Sequence, residues 1–204
     1  MNGDILETDT KSVRDPGTNN HNARLRLDYQ LEKKNIIGIL VDGYDTKWLM
    51  DAVNTSFISR NGHLDTSILI NNHELNQWKH IGGNLNIQHT FAEGRQLTFD
   101  ANILAYKDNN PTEYTNMYSD GEGNALFTDH TRAHKLTPIN IKVAKVDYTS
   151  GIGKNIKLET GVKGTISHFT NDVGVDYKPA QDWIEDPDLT AKYDLNEKIL
   201  AGYA

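Results

Sequence analysis

Apolar and polar residues alternate one by one along several segments of this chain. In residues 23–32 every second side chain is apolar, namely Leu25, Leu27, Tyr29 and Leu31. The same period of two recurs in residues 95–107 and, with interruptions, in residues 155–168. A period of two is typical of a β-strand with one apolar and one solvated face. No comparable stretch has helical periodicity, so the pattern predicts an all-β fold.

The alternating segments form three hairpins with short turns. They are 23–32 with 35–43 around Lys33-Lys34, 77–92 with 95–107 around Glu93-Gly94, and 138–149 with 155–168 around residues 150–154. Polar stretches rich in Asn, Asp, Gly and Thr connect them at residues 44–76, 108–137 and 169–192. We interpret these stretches as long loops, although residues 64–71 would extend a strand. The result is an antiparallel up-and-down meander of about seven strands, the last one truncated.

Short turns at one end and long loops at the other are typical of outer-membrane barrels, in which the short turns are periplasmic and the long loops extracellular. A soluble β-sandwich more often has modest loops at both ends. In the fifth alternating segment, residues 138–149, the apolar residues switch from odd to even positions near Val143-Ala144. This change predicts a β-bulge there.

If these strands cross a membrane, their two faces have different surroundings. The residues expected to face lipid are Leu25, Leu27, Leu97, Phe99, Leu158 and Val162. The residues expected to face the lumen are Arg24, Arg26, Asp28, Asp100, Lys145, Asp147, Glu159 and Lys163. Aromatic residues often mark the membrane interface, and we assign Trp78 and Tyr106 to such a girdle. Tyr29 and Tyr148, which follow aspartates where strands enter short turns, receive the same interpretation.

Composition supports a barrel over an ordinary globular core. Only 37% of the 204 residues are hydrophobic and the mean hydropathy is -0.62, whereas a barrel needs apolar residues on one face only. No run of 18 apolar residues predicts a membrane-spanning helix. The net charge of -7 gives no reason to expect a nucleic-acid partner, and the absence of cysteine excludes thiolate metal sites and disulfides.

Several stretches resemble the outer-membrane β-barrel family related to TonB-dependent receptors. They are 25–29 (LRLDY), 88–98, 144–149 (AKVDYT) and 157–163 (KLETGVK), followed by Tyr193, Glu197 and residues 201–203. The resemblance extends over nearly the whole chain from about residue 20. It implies a bacterial outer-membrane barrel whose parent takes up a nutrient or binds a ligand at the cell surface.

Members of that family commonly carry an N-terminal plug and a segment that engages an energy-coupling inner-membrane protein, and neither is recognisable here. Residues 1–20 are polar, without a secretion signal, and are predicted to be a loop. We therefore expect residues 21–204 to be a partial barrel domain whose plug and signal lie upstream. Its partners would be outer-membrane lipid and, through the missing part, the energy-coupling protein.

No motif predicts catalysis, a cofactor or a metal, and we expect the protein not to be an enzyme. His130 and His134 are four residues apart, but no third ligand accompanies them, which favours surface imidazoles. The stretch 120–124 (DGEGN) is interpreted as a glycine-rich turn because it lacks the distal glutamate of a calcium loop. Calcium binding at the cell surface stays open.

Aromatic residues in the predicted loops offer another kind of site. Tyr114, Tyr118 and Trp183 could stack on a sugar or another ligand captured outside the membrane. The main alternative to the barrel is a soluble β-sandwich that binds carbohydrate, because both folds use alternating strands. Compact, monomeric behaviour in water without any amphiphile would favour that alternative.

Overall fold

The chain forms one antiparallel β-sheet. A computed structural model describes residues 4–92, 94–152, 156–179 and 181–204. The strands are β1 (Leu6–Glu32), β2 (Asn35–Arg60), β3 (His63–Ala92), β4 (Arg95–Asp120), β5 (Ala125–Ile152), β6 (Ile156–Tyr177), β7 (Ile184–Glu185) and β8 (Ala191–Tyr203). Within the described ranges, no helix is both long enough and apolar enough to cross a membrane.

Each strand from β1 to β6 pairs with the next along the chain, and both β7 and β8 pair with β6. This is the predicted all-β meander, with eight strands instead of about seven because the two-residue β7 precedes β8. β1 and β8 form the edges of the sheet, so the sheet is open over the residues that the structure describes.

The first six strands are far longer than a membrane crossing requires. They contain 22 to 30 residues each, whereas a transmembrane strand needs about 9 to 11. The prediction of long loops is wrong for residues 44–76 and 108–137, since both stretches are hairpins that extend the sheet. Residues 64–71 do extend a strand as predicted. Only the third stretch contains a longer connection, at residues 178–190 around β7.

Tight turns close the two unpredicted hairpins. Asn61 and Gly62 have φ values of 52° and 80° and connect β2 to β3. Two successive residues in the left-handed region fit the right-handed twist of the strands, and Asn-Gly is the preferred pair for this geometry. Residues 121–124 connect β4 to β5, and Gly121 packs directly against the Leu64 carbonyl of the neighbouring hairpin.

The predicted loop over residues 1–20 is wrong from Leu6 onward. Residues 6–20 pair continuously with β2, from Leu6 opposite Arg60 to Asn20 opposite Thr46. Backbone pairing, and not side-chain burial, holds this segment, because every residue of β1 is exposed. Residues 1–3 lie outside the described ranges.

The predicted bulge near Val143-Ala144 is also wrong. Val143 lies opposite Asn102 and Thr165, and Ala144 lies opposite Ala101 and Gly164, with no shift of register. The phase change in the sequence therefore reflects a real exchange of residue type between the two faces.

The register separates the predicted residues onto two faces. Directly opposed residues share a face, and one such row runs through Leu27, Ile39, Leu85, Ala101 and Ala144. We call this side the apolar face and the other the polar face. All the residues predicted to face lipid lie on the apolar face, and all those predicted to face the lumen lie on the polar face.

Among the described residues, no second layer covers the apolar face. Leu25 and Leu27 are 74% and 63% exposed, and among the described residues Ala52 is the single buried hydrophobic side chain. A β-sandwich requires two packed sheets with a core between them. The fold therefore contradicts the soluble sandwich.

Uninterrupted runs of apolar residues on the apolar face lie toward the end of the sheet where β1 turns into β2. Further out, apolar residues such as Leu49 and Phe57 share this face with the charged Lys47 and Asp51. We call residues 23–43, 81–105, 144–166 and 199–203 the belt, and residues 4–22, 44–80, 106–143 and 167–198 the outer extension. On β1 the apolar face of the belt extends from Leu31, next to the turn, out to Ala23. The next residue of this face beyond Ala23 is the polar His21. That span matches the roughly 9 to 11 residues of a membrane-crossing strand.

Candidate functional site

Charged side chains on the polar face of the belt form ion pairs along individual strands. Arg26 Nε lies 2.7 Å from Asp28 Oδ2, and Lys145 Nζ lies 2.6 Å from Asp147 Oδ2. Lys157 and Glu159 form a third pair. Each pair joins residues two apart because such residues project from the same face of a strand. Most of the residues predicted to face the lumen therefore balance charge locally.

Hydrogen bonds between β3 and β4 add to these ion pairs on the polar face, and we call this charged and amide-rich surface the polar wall. Asn86 Nδ2 donates to Asp100 Oδ1 over 2.9 Å, and Asn84 Nδ2 donates to Asn102 Oδ1 over 2.9 Å. Asp100 lies opposite Lys145 on the neighbouring strand, and Lys145 lies opposite Lys163. Arg24 lies opposite Asp42 in the same way. A solute at this wall would meet charges of both signs and amide groups.

Two glycines leave room for this wall. A Cβ at Gly38 would lie 2.7 Å from Asp28 Oδ1, because the Asp28 carboxylate rests over the bare backbone. A Cβ at Gly161 would lie 2.6 Å from the Tyr203 hydroxyl, which donates to Asp147. Glycine at these positions therefore lets the charged and phenolic groups lie flat on the sheet.

A buried histidine marks the outer end of the belt on the polar face. The His80 side chain is only 6% exposed, and its Nε2 lies 3.2 Å from Asp42 Oδ2. Its Nδ1 lies 3.2 Å from the carbonyl oxygen of Ala105. Both ring nitrogens therefore lie within hydrogen-bonding distance of acceptor oxygens.

Two tyrosines enclose this imidazole. The Tyr106 ring stacks on it with centroids 4.3 Å apart, and the Tyr44 ring tilts against it at 5.2 Å. A Cβ at Gly82 would lie 3.0 Å from His80 Nε2, so this glycine makes space for the ring. We call Asp42, Tyr44, His80 and Tyr106 the His80 cluster.

The sequence does not predict the His80 cluster, and the prediction for Tyr106 is wrong. Tyr106 and Trp78 are predicted to belong to an interfacial girdle, but both lie on the polar face, away from the exposed apolar side chains. Tyr29 and Tyr148 do lie on the apolar face near the short turns, as their assignment requires. The sequence does carry one indication of the cluster. All four residues occupy the alternate positions of three adjacent strands that project from the polar face.

A buried ion pair lies further out on the polar face. Asp108 is 2% exposed, and its Oδ2 lies 2.7 Å from Lys135 Nζ on the next strand. The neighbouring Thr137 is also buried and donates to Asn171 Oδ1 over 2.6 Å. Burying a carboxylate costs free energy unless a partner compensates it, so Lys135 fixes the side chain of Asp108.

The three aromatic residues predicted as ligand contacts do not come together. Tyr114 and Tyr118 lie on the polar face of β4, where Tyr118 stacks on Phe127 with centroids 4.3 Å apart. Burial, and then the Asp129 carboxylate, raise the pKa of Tyr118. Trp183 instead lies under the guanidinium of Arg132, 4.4 Å from the ring centroid. Arg132 projects from the apolar side of the sheet, so Trp183 is separated from the two tyrosines.

The remaining candidate motifs act as structural elements. Asp120 accepts hydrogen bonds from the backbone N–H groups of Glu122 and Asn124 at 2.9 and 2.8 Å, and from Asn124 Nδ2 at 3.0 Å. These hydrogen bonds, chiefly those from Asn124, lower the pKa of Asp120. His130 and His134 both lie in β5, where four residues span about 13 Å, too far for one metal ion to join their rings without the strand bending.

Comparison with known proteins gives one match. The sequence model of a family described as "Outer membrane protein beta-barrel family" matches residues 89–204. The matched segment begins near the end of β3 and includes every later strand, which is more than half of the chain. No curated protein matches the chain.

Proposed function

Since the chain belongs to the outer membrane protein beta-barrel family and is thus a barrel membrane protein of the bacterial outer membrane, we propose that it forms part of the wall of a TonB-dependent receptor-like protein. Its parent would take up a nutrient or bind a ligand at the cell surface. The apolar face of the belt contacts lipid, and the polar face lines the lumen.

One observation carries the proposed orientation of the faces. The hydrogen-bond register places Leu25, Leu97 and Val162, on three different strands, on one side, and the charged Asp28, Asp100 and Lys163 on the other. The apolar side is uncovered by protein, which is costly in water but favourable in hydrocarbon. The other side carries ion pairs, which require a solvated lumen.

The direction of the chain in the membrane follows from the turns. Barrels of this type have short periplasmic connections and long extracellular ones. The belt lies next to the turn at residues 33–34, whereas β2 and β3 extend about 20 residues beyond the belt at the other end. The outer extension then projects from the cell surface. This direction places the His80 cluster at the outer mouth of the lumen.

The open edges of the sheet imply further strands. Backbone N–H and C=O groups facing lipid must be hydrogen bonded, and each unsatisfied group costs several kcal/mol. The belt portions of β1 and β8 have no partner on their outer edges among the described residues. We propose that other strands of the complete barrel pair with both edges. Energy coupling would act through a plug segment of the parent.

Cysteine labelling tests the orientation of the faces, because the chain has no native cysteine. We expect Asp100→Cys to react with a water-soluble maleimide in intact outer membranes and Phe99→Cys to be protected. The two positions are adjacent on β4 and differ only in face. Equal labelling of both variants, or protection of Asp100→Cys alone, would contradict the proposal.

Uptake and surface binding are distinguished by energy dependence. Cells with and without the parent gene would be grown on a panel of media, each limiting for a single nutrient. Growth that requires the gene and stops when the inner-membrane proton gradient is collapsed supports coupled uptake. A ligand that is retained at the surface but never enters the cell supports binding alone.

A further inference from the structure

Two lysines interrupt the apolar face at the outer edge of the belt. Lys142 on β5 lies opposite Ile166 on β6, and Ile166 in turn lies opposite Lys198 on β8. The two lysines therefore share one face with a single isoleucine between them. Two strand spacings separate their Cα atoms by about 10 Å.

The lysines sit where the apolar surface ends. The next residues of this face toward the short turns are Ala144 on β5 and Leu200 on β8. Ile166 and Ile103, which flank Lys142, are 53% and 63% exposed. Lysine side chains at such a boundary lay their methylene groups along the apolar surface and direct the ammonium group to the interface. Both ammonium groups therefore reach the level of the lipid headgroups.

These two charges are not compensated by the protein. Among residues of the described ranges, no carboxylate lies within ion-pairing distance of Lys142 or Lys198. Nearby acidic groups on the same face have other partners: Asp194 lies 2.9 Å from His168 Nε2, and Asp172 lies 3.0 Å from Lys192 Nζ.

We propose that Lys142 and Lys198 together bind a phosphate of the phosphorylated glycolipid in the outer leaflet, with its acyl chains against Ile166 and Ile103. This inference rests on the proposed function, which places this end of the belt at the outer leaflet. Since each lysine side chain is about 6 Å long and their Cα atoms are about 10 Å apart, both ammonium groups can reach one anion above Ile166. The phosphates of such a glycolipid lie on its sugar headgroup, directly above the acyl chains.

The test measures the affinity of the parent barrel that contains this chain, reconstituted in lipid nanodiscs, for purified lipid A carrying two phosphates. Each lysine near an anionic surface contributes about 1 kcal/mol. We therefore expect Lys142→Gln with Lys198→Gln to weaken binding by about 30-fold. Lys33→Gln with Lys34→Gln removes equal charge at the opposite rim and should leave the affinity unchanged. Lys142→Arg with Lys198→Arg keeps the charge and should retain binding.

Three results would overturn the inference. They are unchanged affinity in the double glutamine variant, equal binding of dephosphorylated lipid A, and equal binding of cardiolipin, which would show a general anion preference. Strand content measured by circular dichroism shows that the glutamine variant is folded. Failure of the unaltered parent barrel to insert into nanodiscs would instead count against the proposed function, so the two failures are distinguishable.

Discussion

The belt and the outer extension are built from the same strands but differ in side-chain pattern. On β1 the belt alternates between apolar and charged residues, whereas residues 6–22 are mostly polar on both faces. The backbone pairing of β1 with β2 continues across the boundary without a change of register. Pairing therefore makes the strand, and the side-chain pattern reflects the medium around it.

Ion pairs show the same difference between the two regions. In the belt they lie on the polar face, as with Arg26 and Asp28. In the outer extension they also occupy the other face, where Lys192 Nζ lies 3.0 Å from Asp172 Oδ2 and Arg132 Nε lies 2.7 Å from Asp176 Oδ2. Beyond the belt, this face carries charged residues among its apolar ones. Under the proposed orientation, water on both sides of the extension accounts for the change.

The largest difference between the belt and the outer extension is expected for a charged residue placed on the apolar face. Phe99→Arg should reduce the free energy of unfolding in lipid by about 2 to 4 kcal/mol. Val13→Arg lies on the same face in the extension, at a side chain that is 72% exposed, and should change it by less than about 0.5 kcal/mol.

Asn102→Arg, on the polar face of the belt, should also be tolerated. Urea unfolding in lipid measures all three variants. A comparable loss for Val13→Arg would show that the extension is not in water, and a negligible loss for Phe99→Arg would remove the distinction between the regions.

The His80 cluster lies at the boundary and should contribute stability through hydrogen bonds. His80→Phe keeps an aromatic ring against Tyr106 but removes both ring hydrogen bonds. We expect the free energy of unfolding to fall by about 1 to 3 kcal/mol. His21→Phe is the matched control, because His21 is exposed on β1. Equal effects of the two substitutions would mean that the Asp42 and Ala105 contacts contribute nothing.

A substitution in the turn between β2 and β3 should lower the free energy of unfolding by a smaller amount. Gly62→Ala places a Cβ on a residue with φ of 80°, which costs about 1 to 2 kcal/mol. Gly17→Ala adds the same atom on β1 with nothing within 4 Å, and it should be neutral or slightly stabilising. Unfolding free energies that agree within error for these two variants would exclude the left-handed turn.

The smallest expected effect is the response of the 121–124 turn to acid. The pKa of Asp120 is lowered by hydrogen bonds to the carboxylate. Its contribution is therefore present above the ordinary aspartate pKa and is lost as the pH falls through the folded-state value. Amide hydrogen exchange at Glu122 and Asn124 should accelerate over that acidic window. Asp120→Asn should abolish this pH dependence, and an unaltered profile in the variant would assign it to another group.

The sequence could predict the belt but not the extension. Alternation identified the strands and assigned residues such as Leu97 and Asp100 to opposite faces, because hydrocarbon on one side imposes a period of two. A strand with water on both sides has no such constraint, so residues 44–60 resembled a loop. The Asn61-Gly62 dipeptide was the available signal for a hairpin there.

The candidate site was predictable only in part. The placement of Lys145 and Asp147 on one face follows from their alternate positions in the sequence. The register of β5 against β4 places both on the polar face. The contact between Trp183 and Arg132 depends on the path of residues 178–190, which no periodicity encodes. The burial of His80 depends on Gly82 and on two tyrosines from different strands. Such packing requires the register between strands.

The length of the strands has a consequence for what first meets the cell. In the proposed orientation, residues 44–60 of β2 rise about 55 Å along the strand, or roughly 40 Å above the bilayer when tilted as barrel strands are. The hairpin tips at Asn61 and at residues 121–124 then stand clear of the lipid surface. Antibodies, bacteriophages and proteases would therefore contact these tips before they reach the belt. Substitutions in the tips should alter recognition by such agents without changing the structure of the belt.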